Sequence, residues 1–215
     1  MLEEIRGLAG KGYQEFVITG IHVTSYGTDL GEIRLIDLLE EISKIDGVRR
    51  IRLGSLEPGF ITEDVLRRLS RLEKFCPHFH LSLQSGCDTV LKRMNRKYTT
   101  EEIREKCRMI RQYFDQPART TDIIVGFPGE TEEEFEETRK FLEEICLYEM
   151  HIFKYSIRKG TRAAKMQDQV PDQIKAKRSD ILLEMSRNHQ EAFEKAQLGQ
   201  TKEILIEEEV HGSKN

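Results

Sequence analysis

The 215-residue chain is 38% hydrophobic and 33% charged, enough apolar content for one sizeable core and not the composition of a disordered tail. Its 34 Lys+Arg against 38 Asp+Glu give a net charge of −4, so bulk attraction to nucleic acid is excluded and any RNA contact must be a local basic patch. The apolar runs are far shorter than the roughly 20 residues of a membrane span, and the start MLEEIRGLAGKG carries no basic-then-apolar signal, so a soluble, cytoplasmic protein is expected.

In chain order, a short helix ending at Gly10 and Gly12 precedes a strand over Glu15–Thr19 and a glycine-rich loop from Gly20 to Gly31. Ile33, Ile36, Leu39, Ile42 and Ile45 predict one apolar helical stripe, closed by Asp46-Gly47 before a strand over Arg50–Gly54. Thr62 is placed to cap a helix carrying Val65, Leu66, Leu69 and Leu72, ahead of a strand at His80–Leu83. Thr99 or Thr100 caps the next helix, bearing Ile103, Cys107, Ile110 and Phe114; Gln116-Pro117 stops it, and Thr121–Val125 reads as a fully buried strand. Thr131 and Glu134 have capping-box spacing, opening a helix with Phe135, Phe141, Leu142 and Ile145 inward, and Met150–Tyr155 is the fifth strand.

Strands alternating with helices of this length imply parallel strands, hence an α/β architecture, open or curled toward a partial barrel. Residues 151–178 hold eight Lys/Arg against two acids, whereas 129–149 hold nine acids against two Lys/Arg, so a basic linker leaves the sheet. Pro171 then opens a long helix ending at Gly199, with Ile174, Ile181, Leu182, Met185, His189, Phe193 and Ala196 on one face. Thr201–Ile206 reads as the start of another strand. The expected domains are a β/α core over 1–170, a linking helix over 171–200, and the opening of a β domain over 201–215.

Cys76, Cys87, Cys107 and Cys146 form no Cys-x-x-Cys pair and are read as reduced thiols, with no metal ligand among them. Ligands of an open parallel sheet bind at the carboxyl ends of the strands. Those ends read Thr19-Gly20-Ile21-His22, Gly54-Ser55-Leu56-Glu57-Pro58, Gln84-Ser85-Gly86, Gly126-Phe127-Pro128-Gly129-Glu130 and Tyr155-Ser156. Each alone is an ordinary turn; together they favour a ligand. No Gly-x-Gly-x-x-Gly follows a strand, and no Gly-Lys-Ser/Thr, nucleophile elbow or His-Glu-x-x-His occurs, which sets aside nicotinamide, Walker-type and hydrolase readings.

The runs Thr121–Thr131 (TDIIVGFPGET), His80–Asp88 continuing to Leu91–Arg96, and Arg52–Pro58 resemble radical S-adenosylmethionine enzymes of the methylthiotransferase family. Within it, Thr19–Gly27 and Lys92–Thr100 resemble the branch acting on threonylcarbamoyladenosine at position 37 of tRNA. The resemblance covers residues 1–206. It implies the partial TIM-type barrel of the radical core, without its first strand. The family's Cys-x-x-x-Cys-x-x-Cys motif is absent, and is expected upstream of Met1. The [4Fe–4S] ligands, the N-terminal cluster domain and most of an RNA-binding domain are thus expected outside this chain.

The resemblance assigns S-adenosylmethionine to Thr19 and Gly20 on the methionine side, Glu57 toward its polar groups, Gln84 to the ribose and Arg96 to the carboxylate. Asp122 is expected to contact the ribose or a base such as Arg96. Ile124 and Gly126 would lie under the adenine, closed by Phe153 or Lys154. Lys92, Arg93, Lys97, Arg158, Lys159 and Arg162 would face an anticodon loop, with His22 and Tyr26 recognising the modified base. The implied reaction exchanges C2–H of the base for a methylthio group. A protein-directed methylthiotransferase and a non-catalytic nucleoside- or RNA-binding module are the alternatives.

Overall fold

The computed structural model describes residues 1–29, 31 and 33–205. Six parallel strands carry the architecture: β1 (Glu15–Ile18), β2 (Arg50–Leu53), β3 (Ser55–Leu56), β4 (His78–Gln84), β5 (Ala118–Val125) and β6 (Glu149–Lys154). β1 pairs with β2, and β3-β4-β5-β6 run side by side. The second expected strand, Arg50–Gly54, is β2, and after Gly54 a further two-residue strand, β3, joins β4. Glycine is required there: a Cβ would lie 2.7 Å from Thr19 Oγ1. Gly54 N–H still donates to Ile18 O at 2.9 Å, and a parallel bridge between Ile51 of β2 and Phe75, just before β4, links the two ladders. Among the described residues β1 has a strand neighbour, β2, on one side only.

The helices are α1 (Leu2–Ala9), α2 (Leu35–Ser43), α3 (Glu63–Leu69), α4 (Asp88–Arg93), α5 (Thr100–Tyr113), α6 (Glu132–Ile145) and α7 (Asp172–Gln197). Their starts follow local chemistry. Thr62, Thr99 and Thr131 each accept an orphan backbone N–H, and Glu102 and Glu134 complete capping boxes. The α2 stripe is shorter than spacing three implies. Ile33 precedes the helix and is exposed, whereas Leu35, Ile36, Leu38, Leu39 and Ile42 are buried. The six-residue α4 lies in a stretch with no apolar periodicity. Among the described residues no helix is long and apolar enough to cross a membrane.

Phe79, Leu81, Leu83, Ile123 and Val125 face the helices and are essentially inaccessible. The alternate residues face the concave side. Thr121–Val125 is consequently not buried on both faces, because Asp122 and Ile124 open onto the concavity and are half-exposed.

α7 packs on β6 and β5. Ile181, Leu182 and Met185 lie inward as expected, but Ile174 is 40% exposed, and the helix's buried residues include Lys175, Arg178, Ser179 and Ser186. The basic segment thus turns back onto the acidic one: Arg178 pairs with Glu130 and Glu132. Residues 201–205 belong to no strand or helix, and Arg50 Nη1 donates to Glu203 O at 3.0 Å. Residues 206–215, where most of the expected β domain start falls, lie outside the described residues.

Candidate functional site

Two cavities flank the carboxyl end of β4. The first, of about 540 Å³, is lined by His22, Glu57, Ser82, Arg96, Lys97 and Tyr98 among others. The loop after β1 and the turn after β3 meet here: His22 Nδ1 lies 3.0 Å from Glu57 Oε1, and Thr24 Oγ1 donates to Glu57 Oε2 at 3.4 Å. Tyr98 fixes the far wall, its hydroxyl donating to Leu83 O at 3.2 Å and to Ser82 O. Burial pushes the Tyr98 phenol up, and the Arg96 guanidinium beside it works in the opposite direction. Arg96 itself is exposed and lines the cavity, so its planar fork suits an anion entering there.

The second cavity, of about 430 Å³, is lined by Gln84, Asp122, Ile124, Phe153, Lys154 and Arg158, with Phe127 and Tyr155 behind them. Gln84, at the last position of β4, has a φ of 72°, unusual for a residue with a Cβ. Strain of this kind concentrates at ligand sites. The Tyr155 hydroxyl is buried without a hydrogen-bond partner. Flat apolar faces (Ile124, Phe127, Phe153) opposite Gln84, Asp122 and Arg158 suit a nucleoside, with a base against the strand and a polar sugar edge.

The expected residues thus divide between two cavities. Glu57, Arg96 and His22 share one; Gln84, Asp122, Ile124, Phe153 and Arg158 share the other. Thr19 lies at the β1 end against Gly54, and Gly20 follows it. Gly126 opens the turn after β5: its φ is +71°, and a Cβ there would meet Lys175 Cγ at 2.4 Å.

Three expectations are corrected. Asp122 does not meet Arg96; its carboxylate lies 3.5 Å from His80 Nε2 on the neighbouring strand, because register sets His80 opposite Thr120, two residues before Asp122. Arg93 is not free on the rim: it makes a two-point pair with Glu134, Nη1–Oε1 at 2.8 Å and Nη2–Oε2 at 2.5 Å, which lowers the Glu134 carboxyl and ties α4 to α6. Tyr26 is half-buried and packs on the core rather than standing in the opening. Lys92, Lys97, Arg158, Lys159 and Arg162 remain exposed; Lys97 lines the first cavity and Arg158 the second.

Tyr98, Ser82 and the concave-face histidines His78, His80 and His151 were not among the expected site residues. Their signal was alternation along the strands, which places His78, His80 and Ser82 on one face.

The cysteines do not converge. Cys76 is half-buried before β4, Cys87 is buried ahead of α4, Cys107 is buried in α5, and Cys146 is exposed at the end of α6. Among the described residues no three of them share a metal-sized site. They do not fit an iron–sulfur cluster.

The chain is 41% identical over 209 residues to a threonylcarbamoyladenosine tRNA methylthiotransferase of Bacillus subtilis, a match covering 97% of this chain and 46% of the relative. It is equally 41% identical, over 206 residues, to a tRNA-2-methylthio-N6-dimethylallyladenosine synthase of Clostridium botulinum, covering 95% of this chain and 46% of that protein. The chain therefore spans just under half the length of these curated relatives. Among solved structures, coproporphyrinogen III oxidase of Escherichia coli superposes with a TM-score of 0.63 at 24% identity, covering 89% of this chain and 44% of that one. Methylornithine synthase gives 0.58 at 16% identity, over 88% and 53% of the two chains. These two share the fold. The model of the radical SAM superfamily matches residues 1–142, two thirds of the sequence and all strands but the last, and the chain belongs to that superfamily.

Proposed function

We propose that this chain is the radical S-adenosylmethionine core of a tRNA methylthiotransferase that places a methylthio group on C2 of threonylcarbamoyladenosine at position 37, beside the anticodon. The observation that supports it is the gathering of the expected cofactor residues into two cavities on either side of the β4 end. Arg96 and Glu57 hold the methionine portion in the first, and the nucleoside lies in the second against Ile124 and Phe153, with Gln84 on the sugar. Asp122 closes the floor. When bound, S-adenosylmethionine supplies the hydrogen-abstracting chemistry that exchange of an aromatic C–H requires. The chain's own residues bind, orient and exclude water. The cysteines do not fit the [4Fe–4S] cluster that this chemistry needs, so its ligands are assigned to another part of the protein.

The exposed Lys92, Lys97, Arg158, Lys159 and Arg162 would contact anticodon-loop phosphates while one unstacked base enters the mouth. The two tRNA-modifying relatives are equally similar, so identity does not choose the base. The choice of threonylcarbamoyladenosine rests on His22 and on the runs Thr19–Gly27 and Lys92–Thr100, shared with that branch. A tRNA-modifying enzyme of this kind works in the cytoplasm.

The test is nucleoside analysis of total tRNA from cells lacking the gene. Loss of 2-methylthio-threonylcarbamoyladenosine with accumulation of the unthiolated nucleoside supports the reading. Loss of the dimethylallyl derivative instead moves the chain to the other branch, and an unchanged tRNA profile overturns the tRNA assignment.

A further inference from the structure

We propose that His80, Asp122 and His151, on three consecutive strands inside the concavity, form a binding site for a divalent transition cation of the zinc or iron(II) type. Their ligating atoms all lie within 4.8 Å of one another. Strand register puts them there: Asp122 is opposite His151 between β5 and β6, and His80 is opposite Thr120 between β4 and β5. The group lies one side-chain layer below Ile124 and Phe153, which are paired in the same β5–β6 ladder. Asp122 also lines the floor of the second cavity, so the group adjoins the proposed cofactor pocket; a cation held there goes beyond the cofactor reading and does not rest on it.

The donor set is the second observation. Two imidazoles and one carboxylate suit zinc, iron(II) and cobalt(II), and three protein ligands leave a coordination position open. The support resembles that of real metal sites, in which the imidazole nitrogen away from the metal is held by a hydrogen bond. His80 Nδ1 lies 3.0 Å from Thr120 Oγ1, and Thr120 Oγ1 lies 3.3 Å from His78 Nε2. With Nδ1–H of His80 donating to Thr120, and the hydroxyl passing its own proton to His78, His80 Nε2 presents its lone pair toward Asp122.

The His80 Nε2 to Asp122 Oδ2 separation of 3.5 Å fits this direction. It is longer than the 2.7–2.9 Å of a charge-assisted N–H···O bond. Two acceptors facing one another at that distance leave a place for a cation, which small side-chain rotations bring to bonding range, with Zn–N near 2.0–2.1 Å. The rings of His80 and His151 lie side by side with centroids 5.8 Å apart. The nearby positive charge of Arg52 is offset by Glu15, Nη1 to Oε1 at 3.5 Å.

Cobalt(II) titration of chelator-treated protein tests the site, read by visible ligand-field absorption. One equivalent should bind, with no near-ultraviolet thiolate band, and zinc should displace it. His151→Ala, at an exposed position that leaves the core untouched, and Asp122→Asn should each weaken binding at least tenfold, with circular dichroism unchanged. Cys146→Ser should leave it intact. Failure to bind one equivalent, a thiolate band, or binding that survives both His151→Ala and Asp122→Asn would overturn the assignment.

Discussion

Arg178, two turns into α7, donates from Nη1 to Glu130 Oε2 at 2.9 Å, with the two side chains only 5% and 1% exposed. The same carboxylate accepts the Gly126 N–H, so one buried acid joins the turn after β5 to the final helix. Burial pushes the Glu130 carboxyl up, while Gly126 N–H and the Arg178 guanidinium act against that push. Removing one partner of such a pair strands the other charge and typically costs about 3–5 kcal/mol, far more than a surface pair. Arg178→Ala should lose about that much stability in urea unfolding. Replacing both residues with apolar ones of similar volume should recover much of the loss. A single-variant loss below about 1 kcal/mol would mean that the α7 packing does not depend on this pair.

His78 supplies a pH prediction. Burial, then the charges of Arg52, His80 and His151, lower its pKa from 6.5 to about 4, so the folded chain holds it neutral. A depressed histidine contributes stability that is complete above the unfolded value and disappears as pH falls through the folded one. The window is therefore pH 6.5 down to about 4. The contribution is at most about 3 kcal/mol, at 1.36 kcal/mol per pKa unit. His78→Asn should reduce the stability difference between pH 7 and pH 4.5; an unaltered difference would show that His78 does not titrate as its burial requires. His189, also lowered by burial, leaves part of the acid sensitivity in place.

Cluster reconstitution tests whether this chain by itself supplies iron ligands. Its cysteines lie on different elements, and burial raises the pKa of Cys76, Cys87 and Cys107, which disfavours the thiolates that ligation needs. Anaerobic treatment of the 215-residue chain with iron and sulfide should give no stoichiometric [4Fe–4S] signal. A cluster that forms one per chain and changes on adding S-adenosylmethionine would contradict this.

The capped helices and the position of the site at the strand ends were legible because both depend on residues adjacent in sequence: Thr99 with Glu102, Thr131 with Glu134, glycine after a strand. Lateral partners were not. Asp122 meets His80 rather than Arg96 because of strand register, and Arg93 meets Glu134 across 41 residues. Charge counting read the 151–178 segment as basic surface, yet Lys175 and Arg178 are buried against the acidic turn that the same counting had set apart. The added strand β3 after Gly54 depends on pairing with β4, which spacing along one strand does not encode.

Arg96 tests the central claim most directly, in the full-length, cluster-loaded protein by equilibrium binding of S-adenosylmethionine and of tRNA. A bidentate, charge-assisted contact is worth about 1.5–3 kcal/mol, so Arg96→Ala should weaken cofactor binding by about one to two powers of ten. Arg96→Lys should restore little, since one ammonium does not reproduce the planar fork. Arg162→Ala, on the exposed basic rim, should leave cofactor affinity unchanged and weaken tRNA binding with a shallower salt dependence. If instead Arg96→Ala keeps wild-type cofactor affinity and loses only tRNA, the cavity between β3 and the loop after β4 belongs to the RNA, and the account of the cofactor site is wrong.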